Sequence, residues 1–138
     1  MDIYIDAKDS IAGRLASRLA KELLKGNRVF VVNSEQAVIS GNPKWVGEQY
    51  VERVNRGDPY HGPFYPKMPD RVLKRLVRGM LPYKKPRGRE ALKRLKVYIS
   101  IPEELKGKEF VKMSEAENRL EGKFVTIGEL SKRFGVKV

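Results

Sequence analysis

Hydrophobic and polar positions along the first 33 residues follow two different periods. The run Ile3–Asp6 predicts a short strand, and an apolar residue then recurs every four positions, as on one face of a helix. That apolar stripe consists of Ile11, Leu15, Leu19 and Leu23. We expect Asp9 or Ser10 to cap this helix and Gly26-Asn27 to end it. The continuous apolar run Arg28–Asn33 predicts a strand covered on both faces, so the three elements form a βαβ unit within a parallel sheet.

The next segment predicts another strand–helix pair and then a long loop. Ala37–Ile39 is a short apolar stretch, and Asn42 with Pro43 is typical of a helix start, with Asn42 as the cap. Val46, Tyr50 and Val54 mark the buried face of that helix, which we expect to end at Gly57. Residues 57–69 contain four of the eight prolines, so no regular element is expected there. A connection of this length is usually functional or disordered, and its aromatic residues argue against disorder.

A strongly amphipathic helix is predicted from Asp70, or the preceding Pro69, to Leu81, with Pro82 closing it. Its two faces separate cleanly by residue type. The apolar face, predicted to be buried, carries Val72, Leu73, Leu76, Val77 and Met80. The basic face, predicted to be largely exposed, carries Arg71, Lys74, Arg75 and Arg78. Gly79 lies between the faces, where alanine would suit a helix better, which suggests that RNA or a packed strand approaches the backbone. A tolerated kink before Pro82 is the alternative.

The remaining elements are shorter. Residues 83–89 read as a basic turn, followed by a short helix around Ala91–Leu95 and a strand over Val97–Ile101. The tail predicts a strand at Lys123–Ile127 and a short helix at Glu129–Phe134. A length of 138 residues fits a single domain, residues 1–138.

The positive charge is concentrated in one part of the chain. The whole sequence has a formal net charge of +12, and residues 71–96 contain eleven basic residues and one acid, Glu90. Such a block repels itself unless a polyanion is near, which favours nucleic acid as the partner. A solvated face or a localisation tag is the plain alternative. A membrane surface is disfavoured because the interleaved apolar residues have the spacing of a core.

Few residues could support catalysis or bind a cofactor. The chain has no cysteine and one histidine, His61, which excludes disulfides, cysteine chemistry and multi-histidine metal sites. The P-loop and dinucleotide-binding glycine patterns are absent, and Asp6 and Asp9 oppose an anion at the first strand–helix turn. His61 has no nearby serine or cysteine to activate. We therefore expect no enzyme activity, no cofactor and no metal. The acidic start does not resemble a signal peptide, and no apolar run could cross a membrane, so the cytosol is the expected compartment.

Several motifs resemble the family of universal large-subunit ribosomal protein thirteen. The most specific is Val77-Arg78-Gly79-Met80-Leu81-Pro82, followed by Arg87-Gly88-Arg89 and Arg94–Tyr98. Gly13–Ser17 and Ser40-Gly41-Asn42 match as well, and the direct passage from Lys25–Asn27 into the second strand is similar to archaeal and eukaryotic members. The short tail is similar to archaeal members. The resemblance implies an α/β fold, a three-layer α/β/α domain with a four-stranded parallel sheet in the order 3-2-1-4. It also implies a structural role in the large ribosomal subunit, as a monomer bound to ribosomal RNA beside neighbouring ribosomal proteins.

The predicted RNA-binding residues combine the basic block with the aromatic loop. They are Arg71, Lys74, Arg75, Arg78, Gly79, Lys84, Lys85, Arg87, Arg89, Lys93, Arg94 and Lys96, together with Tyr60 and His61. The helix from residue 70 to 81 offers only Lys and Arg outward, which suits phosphates rather than base edges. A free-standing RNA-binding translational regulator is the alternative function, and an RNA-acting enzyme would need a carboxylate or histidine cluster that the sequence lacks.

Overall fold

The computed structural model describes residues 1–55, 66–113, 116–117 and 122–134, and within them an α/β fold of five strands and five helices. The strands are β1 (Asp2–Asp6), β2 (Arg28–Val32), β3 (Val38–Ser40), β4 (Leu95–Val97) and β5 (Phe124–Thr126). The helices are α1 (Ala12–Leu24), α2 (Pro43–Asn55), α3 (Pro69–Met80), α4 (Pro86–Lys93) and α5 (Ile127–Arg133). Single 3₁₀ turns lie at Ser34–Gln36 and Glu103–Leu105.

The main sheet is parallel and has β2 at its centre. β1 pairs with β2 from Asp2 opposite Arg28 to Asp6 opposite Val32, and β2 pairs with β4 on its other side. The βαβ unit formed by β1, α1 and β2 is therefore confirmed. The predicted four-stranded sheet in the order 3-2-1-4 is wrong for the described residues, where the sheet has three strands in the order β1-β2-β4.

Two local pairings explain why the sheet differs from the prediction. β3 pairs antiparallel with β5 in a separate two-stranded sheet. At the outer edge of β1, the Asp6 amide donates to the Val111 carbonyl at 3.1 Å and the Val111 amide donates to the Tyr4 carbonyl at 3.0 Å. A single-residue bridge at Val111 thus occupies the edge that a further strand would use.

The last strand of the main sheet is also displaced from its predicted position. The pattern predicted a strand over Val97–Ile101, whereas β4 spans Leu95–Val97, because its pairing with β2 begins at Leu95 opposite Val29. Ser100 has a φ of 56°, which is incompatible with an extended strand and ends the run.

The predicted C-terminal end of α1 is confirmed, whereas the predicted N-cap is wrong. Ile11, rather than Asp9 or Ser10, occupies the N-cap position, and no side chain caps the helix. Ser10 instead pairs through its backbone, its carbonyl accepting from the Val38 amide at 2.8 Å. Gly26 ends the helix as predicted: its φ is 97°, and its amide donates to the Leu23 carbonyl at 3.0 Å.

The start of α2 is as predicted. The Asn42 side-chain oxygen accepts from the Lys44 amide at 3.0 Å, and Pro43 is the first helical residue. Val46 and Tyr50 are buried, as the pattern predicted. The predicted end at Gly57 and most of the loop over residues 57–69 lie outside the described residues.

The core forms where α1 packs against α3, α4 and β2. The buried face of α1 consists of Ala12, Leu15, Ala16, Leu19, Ala20 and Leu23. It meets Val29 and Val31 of β2, Leu95 of β4 and the apolar residues of α3 in one cluster. The three-layer arrangement stays a prediction. Within the described ranges, no helix combines the length and the apolar character that crossing a membrane requires.

Candidate nucleic-acid interface

The apolar face of α3 anchors the basic residues to the core. Val72, Leu73 and Val77 are buried, which confirms the prediction for them. Leu76 is only partly buried, beside an opening of about 200 Å³ that it shares with Tyr50. The prediction for Met80 is wrong: it is 44% exposed, because it is the last residue of α3, where the helix leaves the core.

The basic face of α3 is less exposed than its spacing suggests. Arg71 is exposed as predicted, whereas Lys74, Arg75 and Arg78 are half-buried, so the prediction of large exposure is wrong for these three. All four line an open recess of about 510 Å³, whose walls also include residues 66–68 and Leu92 of α4. Long basic side chains rest their apolar stems on such walls and keep the charged ends toward solvent.

The segment after α3 is more regular than predicted. Residues 83–89 were expected to form a turn with a helix only around Ala91–Leu95, but α4 begins at Pro86 and ends at Lys93. Pro86 suits the first turn of a helix because the missing amide proton has no partner there in any case. The Lys85 carbonyl accepts from the Gly88 and Arg89 amides at 3.1 and 3.2 Å, which closes that first turn.

The stretch from α3 through α4 to β4 carries the basic surface, defined as the eleven Lys and Arg side chains of residues 71–96. Seven of these side chains are exposed: Arg71, Lys84, Lys85, Arg87, Arg89, Lys93 and Lys96. Glu90 is the one acid in this stretch of sequence. Eleven cations against one acid concentrate positive charge in residues 71–96, as in proteins that bind phosphate backbones.

Arg94 differs from the other cations of the basic surface. Its guanidinium donates to the Leu23 carbonyl at 2.8 Å, at the carboxyl end of α1, and the residue is half-buried. A cation at this position complements the negative end of the helix dipole. Arg94 therefore links α4 to α1, a role within the fold that the sequence pattern did not indicate.

The two glycines of the basic block have opposite environments. A Cβ on Gly88 would collide with the Pro82 carbonyl, because the first turn of α4 packs directly on the end of α3. A Cβ on Gly79 would meet no described atom within 4 Å outside its own helical turn. Alanine at Gly79 would favour the helix by about 1 kcal/mol. The predicted approach of a packed strand to Gly79 is thus wrong for the described residues, and no contact within the described chain requires a glycine there.

A second recess of about 510 Å³, here called the Tyr83 recess, opens beside Gly79. Arg75, Arg78, Lys84 and Lys85 line it, and no acidic residue of the described chain does. The Arg78 guanidinium carbon lies 3.9 Å from the centre of the Tyr83 ring, so the two groups form a cation–π pair. Tyr83 was not among the predicted site residues, although an aromatic residue at the edge of a basic run was the available signal.

Lys74 carries its charge in an unfavourable environment. Burial lowers the pKa of the Lys74 ammonium from its ordinary value, nearby Lys96 lowers it further, and Asp70 acts in the opposite direction. Its Nζ lies 3.5 Å from the Leu95 carbonyl oxygen, the long limit of a hydrogen bond. A nearby anion would favour the charged form of this lysine.

We expect Lys74 to make the stability of the free protein rise with pH in the alkaline range. Between its lowered folded-state pKa and the ordinary value of 10.5, the unfolded chain holds more protons on this lysine than the folded chain does. Lys74→Arg keeps its charge throughout that range, since arginine titrates only above about 12. The difference in unfolding free energy, wild type minus Lys74→Arg, should therefore increase with pH in urea titrations. A difference that stays constant up to the ordinary pKa of lysine would show that Lys74 is not desolvated.

Two predicted site residues, Tyr60 and His61, lie outside the described residues. Their contribution stays a prediction. Among the described residues, no group of three His, Asp or Glu side chains is arranged as a metal site.

Comparisons with known proteins agree in one family. The family described as Ribosomal protein L13 matches residues 1–104. Large ribosomal subunit protein uL13 of Methanococcoides burtonii is 52% identical over 135 residues, covering 96% of this chain and 97% of that protein. The protein of the same name from Methanosarcina barkeri is 48% identical over 136 residues, with the same two coverages. That from Haloarcula marismortui is 45% identical over 134 residues, covering 97% of this chain and 91% of that protein.

Proposed function

Because the chain belongs to the ribosomal protein L13 family, we propose that it is a structural constituent of the large ribosomal subunit. In this role it binds large-subunit ribosomal RNA through the basic surface and supports subunit assembly and translation. The observation that supports the RNA contact is the exposure of seven of the eleven cations of residues 71–96, a stretch with a single acid, Glu90. The function is structural rather than enzymatic, and its place is the ribosome in the cytoplasm.

The chemistry of the basic surface favours phosphates over base edges as its main contacts. The outward face of α3 offers Arg71, Lys74, Arg75 and Arg78, and none of these positions carries the Asn or Gln that reads adenine. Phosphate contacts fix the position of a protein on RNA, whereas base contacts select a sequence. We assign all eleven cations of the basic surface to this contact, with Arg94 at its inner edge. Tyr60 and His61 complete it by stacking on splayed bases.

The proposal extends to architecture and partners. The protein acts as a monomer within the ribosome and contacts neighbouring large-subunit proteins. Its helices and parallel sheet are arranged in the three layers that the family resemblance implies.

Sedimentation of native cell extract on a sucrose gradient tests the ribosomal role. We expect the protein to comigrate with the large subunit and to remain there through a high-salt wash, because an integral constituent is held by many contacts at once. A protein that is found at the top of the gradient, or that the wash removes completely, would support the free-standing translational regulator instead.

Electrostatics should dominate the RNA affinity. Replacing Lys84, Lys85, Arg87 and Arg89 together with alanine should reduce the slope of log affinity against log salt by about 3, since each lost phosphate contact removes about 0.7–0.9. The measurement is filter binding to large-subunit ribosomal RNA over a salt series, after circular dichroism has shown that the variant is folded.

A matched control removes four exposed lysines outside the basic surface: Lys8, Lys21, Lys106 and Lys112. It changes the net charge by the same amount, and we expect it to leave the slope nearly unchanged. Equal slopes for the two quadruple variants would place the RNA contact elsewhere on the molecule.

A further inference from the structure

Glycine at position 79 destabilises α3 in the free protein, and no contact within the described chain explains why a glycine is there. It lies in the last turn of α3, it is exposed, and a Cβ there would have open space around it. An alanine would therefore fit without strain and would favour the helix. A glycine at this position suits a partner outside the described chain that comes close to the helix backbone.

The Tyr83 recess beside Gly79 combines cationic groups with an aromatic ring, a combination that matches the phosphate and the base of a nucleotide. Lys84 and Lys85 are exposed at its rim and offer ammonium groups to a phosphate. The stacked Arg78 guanidinium and Tyr83 ring offer a flat layer, and Tyr83 is 40% exposed. Nucleic-acid bases stack on aromatic rings and on arginine planes alike. A recess of about 510 Å³ falls in the size range of small-ligand pockets.

We infer that the Tyr83 recess takes one unstacked nucleotide of the bound RNA. Its base stacks on the Arg78–Tyr83 layer, its phosphate lies against Lys84 and Lys85, and the sugar–phosphate backbone passes over Gly79. The inference rests on the proposed function, since it names the form of RNA that this part of the basic surface recognises. A paired RNA helix keeps its bases inside the stack and could reach only the lysines.

The test compares two RNA probes on the full-length protein by fluorescence anisotropy at one fixed salt concentration. One probe is a single-stranded oligouridylate of about ten nucleotides, within the length range that single-strand sites cover. The other is a fully paired RNA duplex of the same length. Wild type should prefer the single strand, and Tyr83→Ala should weaken single-strand binding about tenfold while changing duplex binding little, since stacking on one aromatic ring contributes that much. Tyr83→Phe and Tyr83→Trp, which keep a ring, should restore the preference.

Two further variants separate the recess from its surroundings. Gly79→Val should weaken single-strand binding because its side chain fills the space over which the backbone passes, and Gly79→Ala should melt no lower than wild type. Arg71→Ala removes an exposed cation that does not line the recess and should weaken both probes by the same factor.

The inference is overturned if wild type shows no preference for the single strand, or if Tyr83→Ala changes both probes equally. Neither result affects comigration with the large subunit, which tests the proposed function separately. Loss of comigration with an intact probe preference would instead contradict the proposed function and leave the nucleotide recess standing.

Discussion

Replacing Gly88 with alanine is expected to destabilise the protein by roughly 3 kcal/mol, at the upper part of the range for overpacking a tight site. The new methyl group would overlap the backbone carbonyl of Pro82 and crowd the Tyr83 amide. Backbone atoms cannot rotate away as the end of a flexible side chain can, so α4 has to move relative to the end of α3. Gly88 is buried, so the added methyl group cannot turn toward solvent.

Gly79→Ala is the matched control, because it makes the same chemical change in the neighbouring helix of the same basic block. With open space around the added methyl group, it should stabilise the protein by up to about 1 kcal/mol. Urea denaturation of the two variants measures both effects, and their opposite signs are the diagnostic result. A Gly88→Ala variant as stable as wild type would mean that α4 does not pack on the Pro82 carbonyl.

These two glycines show where prediction from sequence stops. Both glycines lie in the basic block, and the sequence does not distinguish their surroundings. Helix propensity alone predicts that glycine at position 79 destabilises its helix. Packing requires a glycine at position 88 because the Pro82 carbonyl lies against it once the chain has turned from α3 into α4. A contact of this kind is set by tertiary geometry, which no local pattern contains.

Short sequence motifs at two helix ends correctly predicted where those helices begin or end. The start of α2 follows from the Asn42 side chain and Pro43, and the end of α1 follows from the positive φ that Gly26 adopts without strain. The strand order could not be predicted in this way. It depends on which segments reach the edge of β1, and the Val111 bridge comes from a residue more than a hundred positions later.

The sequence predicted which residues carry the charge of the basic surface, but only partly how these residues are arranged in space. Composition alone identified residues 71–96, and the structure distributes those cations over the stretch from α3 through α4 to β4. The half-burial of Lys74 and the bond from Arg94 to the carboxyl end of α1 depend on how α4 packs beside α3 and α1. The pairing of Arg78 with Tyr83 depends on the direction in which the chain leaves α3, because the two residues lie on opposite sides of Pro82.

Three positions on the apolar face of α3 are expected to differ in how much their truncation destabilises the protein. Its spacing treats Leu73, Leu76 and Met80 as equivalent core positions, but the structure buries Leu73 completely, Leu76 partly, and leaves Met80 44% exposed. Leu73→Ala should therefore cost about 2–5 kcal/mol, the range for truncating a fully buried leucine. Leu76→Ala should cost about 1–2 kcal/mol, since part of its surface already faces an opening. Met80→Ala should change stability by less than about 0.5 kcal/mol, as surface substitutions usually do.

The comparison is clean because all three changes end in alanine within one helix. Leucine, methionine and alanine have similar helix propensities, so differences between the variants report burial rather than helix formation. Urea denaturation gives the three free energies of unfolding, and RNA binding by the folded fraction should stay close to wild type, since none of the three side chains carries charge. Equal losses for Leu73→Ala and Met80→Ala would mean that the end of α3 packs into the core after all. The basic face opposite would then be rotated from its position here, and the assignment of cations to the RNA surface would have to change with it.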